Sequence, residues 1–255
     1  MGRVHIVIND RHAAPGEVVE HNDWIGRLIA DVKPDVVIDN GDGADMPSLS
    51  SYDKGTRSFQ GRNYRHDVEA ANEANDRIWS KIRKKKKKLP RRVTTIGNHE
   101  HRITRALELS PELDGAIGLK DLNLDYFYND IVDYNGKTPG IIEIDGVYYA
   151  HYFISGVKGM PISGEHPAHA LITKQNASCT AGHLHTLDFA RRTGVDGGTR
   201  LGLLSGCSSY FNPAYAGVAS NLWWRGVVIK RNVENGNYEP EFVTLDRLGK
   251  IYGDR

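Results

Sequence analysis

The chain has 255 residues, of which 39% are hydrophobic and 25% charged, and 33 basic against 32 acidic residues leave a formal net charge of +1. This length and composition are typical of a globular protein with one substantial hydrophobic core, and they exclude a disordered or fibrous chain. Because the net charge is near zero, an anionic partner would have to bind at local basic patches.

The start of the chain and the cysteines bear on the cellular compartment. The apolar run after Met1 ends at Ile8, which is too short for a signal sequence, and no later segment is apolar for long enough to span a bilayer. Cys179 and Cys207 give no disulfide framework, so we expect both to be reduced core residues. We expect a cytoplasmic protein with no membrane partner, and the sequence leaves the oligomeric state open.

The first elements predict a βαβ unit. Residues 4–8 form a short apolar run typical of a buried strand, and Asp10 and His12 lie on the loop that leaves it. Apolar residues recur at helical spacing over Glu20–Val32. Residues 35–39 predict the second strand, so Asp42 would lie just beyond its carboxyl end.

The following segment has a different character. Residues 46–66 are polar and punctuated by glycine, and aromatic side chains alternate there with basic ones. A loop of this length with little periodicity is uncommon in a compact domain unless it is disordered or serves a site. Residues 67–83 return to helical spacing and lead into a dense basic run that ends at Arg92. We predict a functional loop or lid over 46–66.

Later elements are predicted from shorter patterns. Residues 93–96 predict a third strand, and helical spacing over His101–Leu109 places Arg102 and Arg105 on one face. Residues 141–149 predict a hairpin, which ends just before His151. Further strands are predicted at 178–181, 201–205, 226–231 and 241–245, with a second hairpin turn at Asn235-Gly236. Residues 115–139 have no assignable pattern.

Polar clusters follow several of these predicted strands. They are Asp10-Arg11-His12, Gly41-Asp42-Gly43-Ala44-Asp45, Gly97-Asn98-His99-Glu100, the lone His151 and Gly182-His183-Leu184-His185. Carboxylate, amide and imidazole groups without a thiolate suit Mn, Fe, Zn or Ni better than Ca. A two-metal site needs a shared anionic bridge, which one aspartate can provide, and Asp42 is the candidate.

The order of these clusters resembles the calcineurin-like metallophosphoesterase superfamily, whose signature runs D-x-H, G-D-x-x-D, G-N-H-D/E, H and G-H-x-H. The resemblance extends from Asp10 to His185. It implies an α/β (α+β) fold, a four-layer αββα sandwich of two mixed β-sheets flanked by helices, with a dinuclear metal site at strand ends. It also implies a single metallophosphoesterase domain over 1–255, with a basic and aromatic insertion at about 46–92.

The same resemblance implies a ligand set and a reaction. The ligands would be Asp10, His12 and His185 for one ion and Asn98, His151 and His183 for the other, with Asp42 shared. Mn is the favoured metal, with Fe, Zn, Ni or Mg as alternatives. His99 would protonate the leaving oxygen, since imidazole has a pKa near neutrality. A metal-bridging hydroxide would attack phosphorus in line, without a covalent enzyme intermediate.

Other residues in these clusters have simpler interpretations. Asp45 is expected to be a turn residue that caps a helix, and Glu100 a carboxylate at a helix start or in support of the ligands. The histidines outside the motifs, His5, His21, His66, His101, His166 and His169, are expected to be structural or surface residues. The aromatic residues Tyr210, Phe211, Tyr215, Trp223 and Trp224 are expected to pack in the core or rim, with stacking as an alternative for Tyr210 or Phe211.

The basic and aromatic residues suggest a substrate. Arginines interleaved with aromatic rings are typical of a groove for single-stranded nucleic acid, although a lysine run is equally often a solvated helix end. The candidates for substrate binding are Arg102, Arg105, Tyr52, Lys54 and Arg57. Arg102 and Arg105 would either clamp a phosphate or face solvent.

We therefore predict a nucleic-acid phosphodiesterase, that is, a nuclease. Residues 46–55 are also similar to superfamily members encoded by bacteriophages, for which DNA processing in the host cytoplasm would be natural. The alternatives are a phosphatase or phosphodiesterase for a small nucleotide or phosphoprotein, and a metal-stabilised binding module without turnover. The sequence does not choose between DNA and RNA or fix the polarity of cleavage.

Overall fold

The computed structural model describes residues 2–84 and 88–253 of the chain. Its strands are β1 (Arg3–Ile8), β2 (Val36–Asp39), β3 (Arg91–Thr95), β4 (Asp130–Val132), β5 (Ile142–Ile144), β6 (Val147–Tyr149), β7 (Ile154–Ser155), β8 (Met160–Pro161), β9 (Ser178–Ala181), β10 (Leu187–Thr193), β11 (Thr199–Ser205), β12 (Gly226–Glu234) and β13 (Asn237–Thr244). Its α-helices are α1 (Glu20–Val32), α2 (Tyr64–Lys84), α3 (His101–Leu109), α4 (Leu124–Phe127), α5 (Pro167–Gln175) and α6 (Leu245–Tyr252). Within these residues, no helix combines the length and apolar character needed to cross a bilayer.

The first sheet is mixed and has the strand order β13-β12-β1-β2-β3-β4. Strands β1 to β4 run parallel to one another, and β12 runs antiparallel to β1. The carboxyl ends of the four parallel strands therefore lie along one edge. Residues that follow these strands become neighbours there, although they are far apart in the sequence.

The second sheet is also mixed and has the strand order β10-β11-β9-β6-β5. Its central strands β6, β9 and β11 are parallel, while β5 and β10 pair antiparallel at the two margins. The short hairpin of β7 and β8 lies outside both sheets. As in the first sheet, the loops that leave the parallel strands gather at one edge.

Apolar side chains pack the elements into four layers. Val7 and Ile38 of the first sheet meet Tyr149 and Leu203 of the second, which forms the core between the sheets. Helices α1, α2 and α6 cover the outer face of the first sheet, and α5 covers the outer face of the second. The predicted four-layer sandwich of two mixed sheets flanked by helices is confirmed.

Several predicted boundaries are confirmed and others are wrong. Helices α1 and α3 and strand β9 have the predicted bounds, and both hairpin turns are present. The helix predicted at 67–83 begins earlier, at Tyr64, and the preceding loop contains 3-10 turns at Pro47–Leu49 and Arg57–Phe59. The elements that were not predicted are β4, β7, β8, β10, α4, α5 and α6.

The described residues that flank the basic run lie at the edge of the first sheet opposite to the ligand loops. Helix α2 ends at Lys84, residues 85–87 lie outside the described residues, and β3 begins at Arg91. The run therefore precedes the amino end of β3, whereas Asn98 follows the carboxyl end of the same strand. With 21 residues, α2 also separates its two ends by about 30 Å.

Gly26 sets how closely α1 approaches α2, because a Cβ at this position would overlap with the carbonyl oxygen of Ile78. We predict that Gly26→Ala lowers the free energy of unfolding by about 1–3 kcal/mol, despite the better helix propensity of alanine. Urea denaturation would measure the change. Gly118→Ala is the control, since its Cβ would only touch the Lys120 side chain at 3.5 Å. Equal stability of the two variants would contradict the close helix contact.

Candidate metal centre

All seven predicted metal ligands come together on loops at the neighbouring edges of the two sheets. Asp10 and His12 follow β1, Asp42 follows β2, Asn98 follows β3, His151 follows β6, and His183 and His185 follow β9. Backbone hydrogen bonds join the loops: the Asp10 N–H donates to the Gly41 carbonyl and the His12 N–H to the Asp42 carbonyl, each at 2.9 Å. The predicted clusters are therefore neighbours in space. Their roles as ligands remain predictions.

The loops carry an unusual backbone conformation at these positions. Five predicted ligands have positive φ angles, namely Asp10 (47°), His12 (45°), Asp42 (51°), His183 (68°) and His185 (60°). Holding a non-glycine residue at a positive φ angle costs about 1–3 kcal/mol of conformational free energy in less favourable cases. Such residues are concentrated at functional sites. The surrounding structure must therefore hold these residues in place.

The first donor group consists of Asp10, His12 and His185, whose ligand atoms lie within 4.8 Å of one another. The Nε2 atoms of His12 and His185 are 3.0 Å apart. The Nε2 atom of His185 is also 3.2 Å from the Oδ1 atom of Asp10. All three side chains are buried, so their donor atoms face one another away from bulk water.

The second donor group contains Asp42, His151 and His183, with Asn98 beside them. The Nε2 atom of His151 lies 3.2 Å from the Oδ2 atom of Asp42 and 3.0 Å from the Oδ1 atom of Asn98. The Nδ1 atom of His183 is 3.3 Å from the same Nε2 atom. A third group, His12, Asp42 and His99, also has ligand atoms within 4.8 Å of one another, so the assignment of ligands to two sets remains a prediction.

The outer ring nitrogens of two histidines are bound to oxygen atoms of the protein. The Nδ1 atom of His12 lies 3.0 Å from the Asp45 carboxylate, and the Nδ1 atom of His151 lies 3.0 Å from the Asn40 carbonyl oxygen. A proton on each Nδ1 satisfies these contacts and leaves the Nε2 lone pair pointing inward. Such support of the outer nitrogen is typical of metal-binding histidines.

The charges at the centre favour a cation. Burial acts to raise the pKa of Asp42, but His151 and His99 outweigh it and hold this pKa well below its ordinary value. Burial likewise acts to lower the pKa of His151, yet Asp42 and Asp10 raise it to about 10. Two buried carboxylates thus require nearby positive charge, which divalent cations would supply. The nitrogen and oxygen donors present fit such ions.

His99 lies beside the donor groups and is held by Asp45. Its Nδ1 atom is 2.9 Å from the Asp45 Oδ1 atom, and its Nε2 atom is 3.8 Å from the Oδ2 atom of Asp42. Burial would lower the pKa of His99, but Asp42 and Asp45 together raise it above its ordinary value. Because one Asp45 carboxylate contacts both His12 and His99, the predicted helix-capping role of Asp45 is wrong.

Glu100 supports the loops that carry the ligands. Its buried carboxylate accepts hydrogen bonds from the N–H groups of Asp42 at 3.1 Å, Ala44 at 2.8 Å and Gly97 at 2.9 Å. Burial, with a contribution from Asp42, raises the pKa of Glu100 to about 7. The supporting role considered for this residue is confirmed.

A cavity of about 890 Å³ opens beside the centre and is lined in part by Asn98, His99 and Arg102. The Arg102 guanidinium donates to the Asp45 carbonyl oxygen at 2.7 Å, and its Nη2 atom is 3.2 Å from the Nε2 atom of His99. Tyr52 lines the cavity and is 87% exposed. Arg102 and Tyr52 thus line the same cavity as Asn98 and His99, and their contact with a substrate remains a prediction.

The other predicted substrate-binding residues lie farther out. Lys54 and Arg57 are exposed on the segment that carries Tyr52, and neither is among the residues that line the cavity. Arg105 is exposed on α3, whereas Arg102 is half-buried, so the two arginines have different surroundings. Their contact with a substrate remains a prediction.

Three further residues at the centre were not predicted. The buried guanidinium of Arg11 lies 2.6 Å from the Asp39 carboxylate, which anchors the loop between Asp10 and His12. The rings of Phe211 and Trp223 pack against two histidines: Phe211 stacks on His12 at a centroid distance of 5.4 Å, and Trp223 meets His185 edge to face at 4.2 Å. For Phe211 and Trp223, the available sequence signal was the aromatic cluster to which they belong. For Arg11, the only signal was its position between the predicted ligands Asp10 and His12.

Comparisons with known proteins give structural matches alone. No protein-family model and no curated protein match this chain. Among solved structures, YfcE, a phosphoesterase from E. coli, is 12% identical with a TM-score of 0.40, covering 94% of this chain and 100% of that one. A predicted phosphoesterase of Streptococcus pneumoniae TIGR4 is 15% identical with a TM-score of 0.35, covering 96% and 90%. A Thermus thermophilus protein is 12% identical with a TM-score of 0.34, covering 96% and 100%.

These identities and TM-scores assign neither a family nor an activity to the chain. The function therefore has to be argued from the residues of the centre.

Metal content tests the two donor groups. We predict that protein dialysed against Mn²⁺ retains up to two ions per chain, measured by plasma mass spectrometry, and that Asp42→Asn and His151→Ala each retain fewer. Both side chains point into the donor groups, so each substitution removes a converging donor atom. The exposed His169 provides the control variant His169→Ala, which should retain as much Mn²⁺ as the wild type. Equal metal content in all variants would place the ions elsewhere.

Asp45→Asn tests the support of the two histidines. Since its carboxylate contacts both His12 and His99, we expect metal affinity or activity to fall by about 10- to 100-fold while the fold is retained. Metal titration and circular dichroism would measure the two effects. Asp196→Asn, in an exposed loop, is the matched control. Wild-type metal affinity and activity in Asp45→Asn would show that this carboxylate has no supporting role.

Proposed function

We propose that this protein is a metal-dependent phosphoesterase that hydrolyses phosphodiester bonds, with nucleic acid as its substrate. The observation that carries the proposal is the convergence of two donor groups around Asp42, with His99 and Arg102 beside them at one cavity. Divalent cations bound there would act as Lewis acids on a phosphoryl oxygen and lower the pKa of water. Carboxylate, imidazole and guanidinium groups of Asp45, His99 and Arg102 line the same cavity, where a phosphate would bind.

Arg102 is suited to bind that phosphate. Its guanidinium is oriented by the carbonyl oxygens of Asp45 and Met46, which carry no net charge. Among the described residues, no carboxylate forms an ion pair with it, although it lies next to His99. An arginine held in this way keeps donors available for the oxygens of a phosphate.

His99 is suited to protonate the leaving oxygen. Asp45 holds its Nδ1 atom, so the ring is oriented with Nε2 towards Asp42 and Arg102. Once the Arg102 N–H turns from Nε2 to a phosphate oxygen, a proton carried on Nε2 would be transferred to the leaving oxygen as the phosphorus–oxygen bond breaks. The ring packs edge to face on His12 at a centroid distance of 4.6 Å, which restricts its movement further.

The segment beside the cavity supports a nucleic-acid substrate. The exposed ring of Tyr52 is flanked by the exposed cations Lys54 and Arg57. Aromatic rings that stack on bases, alternating with cations that contact phosphates, are typical of sites for single-stranded nucleic acid.

A small nucleotide or another small phosphoester is the second candidate substrate. The cavity of about 890 Å³ is large enough to enclose one nucleotide. Arg62, which also lines it, is already paired with Asp53 at 2.7 Å. Among the described residues, the arginines that line the cavity are Arg62 and Arg102, so the cations near the centre are few.

Mn²⁺-dependent hydrolysis of bis-p-nitrophenyl phosphate and p-nitrophenyl phosphate tests this proposal. We predict faster turnover of the diester, and a fall of about 10²- to 10⁴-fold in kcat for His99→Ala, because general-acid catalysis contributes that much. Asp42→Asn should also be strongly impaired, and His169→Ala should match the wild type.

Labelled single- and double-stranded DNA would then identify the substrate class. Degradation of DNA supports the nuclease, whereas intact DNA with rapid turnover of nucleotides favours the small substrate. Metal-loaded protein that hydrolyses none of these esters would contradict the enzymatic proposal.

A further inference from the structure

A network of four polar side chains lies between the ligand loops and α2. Its members are Arg11, Asp39, Asn75 and Tyr128, and each of them is at most 4% exposed. They come from four separate segments: the loop after β1, the last residue of β2, the middle of α2 and the residue that follows α4. None of the four is a predicted ligand or takes part in the proposed reaction.

The guanidinium of Arg11 is at the centre of this network. Its Nη2 group donates to the Asp39 Oδ2 atom at 2.6 Å and to the Asn75 Oδ1 atom at 2.7 Å, and it lies 3.3 Å from the Tyr128 hydroxyl. The Tyr128 hydroxyl in turn donates to the Asp39 carboxylate at 2.5 Å. One side chain therefore connects the loop after β1 with β2, with α2 and with the end of α4.

The position of Arg11 links this network to the predicted metal ligands. It stands between Asp10 and His12 of the first donor group, so a shift of its backbone would move both ligands together. Its partner Asp39 ends the strand that leads to Asp42. The ion pair between Arg11 and Asp39 therefore joins two ligand loops through their side chains, in addition to the hydrogen bonds between their backbones.

Two neighbouring residues are suited to this arrangement. A Cβ at Gly43 would lie 2.7 Å from the Arg11 Nη2 atom, so glycine leaves the room that the guanidinium needs. Asn75 places a polar group on a face of α2 that also buries Ala71 and Ile78. A buried amide is unfavourable unless it has a partner, and Arg11 provides one.

Stability alone is a weak explanation for this buried ion pair. Both side chains are about 2% exposed, so both charges have been removed from water. Apolar side chains of similar volume often give equal or greater stability than such a pair. The geometry that Arg11 imposes on the loop around it is the better explanation.

We propose that Arg11 is a positioning residue for the first donor group. By joining its loop to β2 and α2, it holds Asp10 and His12 at the distance from Asp42 that one ion of a pair requires. The inference rests on the proposed function, which places divalent cations at this centre. It also gives α2 a part in metal binding, since Asn75 completes the contacts of Arg11.

Arg11→Lys tests the proposal, because lysine keeps a positive charge beside Asp39 but lacks the planar fork that reaches Asp39 and Asn75 together. We expect the ion of the first donor group to bind about 10- to 100-fold more weakly, while the other ion binds as in the wild type. Calorimetric titration of the metal-free full chain with Mn²⁺ measures both affinities. Electron paramagnetic resonance gives a second readout: a coupled pair of Mn²⁺ ions in the wild type, and isolated ions in the variant.

Arg77→Lys is the matched control. Arg77 also joins α2 to another helix, and its carboxylate partners, Asp23 at 3.1 Å and Glu73 at 2.9 Å, lie outside the network. This variant should bind both ions as the wild type does. Tyr128→Phe removes one hydroxyl from the network without changing its charge, and it should weaken the same ion as Arg11→Lys. If Arg11→Lys does not fold, Tyr128→Phe decides.

Wild-type binding of both ions in Arg11→Lys and Tyr128→Phe would overturn the positioning role. An equal loss of both ions would also overturn it, because a merely structural role predicts that result. If the wild-type chain shows no coupled pair, the two-ion centre fails and this inference fails with it. A coupled pair that depends on Arg11, in a protein that hydrolyses no phosphoester, would overturn the phosphoesterase alone.

Discussion

The rest of the structure depends on one constraint, which is the burial of two carboxylates against several imidazoles. These side chains lie on loops at the neighbouring edges of the two sheets. Asp10 and Asp42 are almost fully buried, so each carboxylate has lost water and needs nearby donors or positive charge. Their loops also adopt left-handed backbone conformations that are unfavourable for these residues. A sequence selected for stability alone would avoid both features, which indicates that the arrangement serves chemistry.

Hydrogen bonds across the two sheets hold these ligands in register. The Asn9 side chain donates to the Asp10 carboxylate at 2.6 Å and accepts from the Ser205 hydroxyl of the second sheet at 2.6 Å. The Asn40 side chain donates to the Ala150 carbonyl oxygen at 2.8 Å, next to His151. These hydrogen bonds thus fix the loops of one sheet relative to those of the other. Preorganisation of this kind is what a metal-dependent active site needs.

Sequence predicts the fold well where local signals are strong. The spacing of apolar residues predicts α1 and α3 with the correct bounds, and the Asp145-Gly146 turn predicts its hairpin. The unpredicted β4 has only three residues, and β10 is an outer strand with mostly polar or half-buried residues, so neither shows an apolar run. Strand β4 pairs with β3, which is distant in the sequence. Strand β10 forms a hairpin with β11, and the prediction did not use the turn signal Asp196-Gly197 between them.

The candidate site also contains some features that local sequence patterns predict and others that they do not. The motif clusters predicted which ligands would meet, because each follows a strand and the parallel strands share an edge. The contact of Asp45 with two histidines is a product of packing between distant segments, and no local pattern encodes it. The lysine run shows the converse: it is conspicuous in the sequence, yet its flanking residues lie at the opposite edge of the sheet.

A crystal structure of the Mn²⁺-loaded protein, with anomalous data collected at the manganese absorption edge, tests the central claim most directly. The account predicts two anomalous peaks about 3.5–4 Å apart on either side of the Asp42 carboxylate. One peak would be near Asp10, His12 and His185, and the other near Asn98, His151 and His183. Manganese bound away from Asp42, or no anomalous peak at either donor group, would contradict the account.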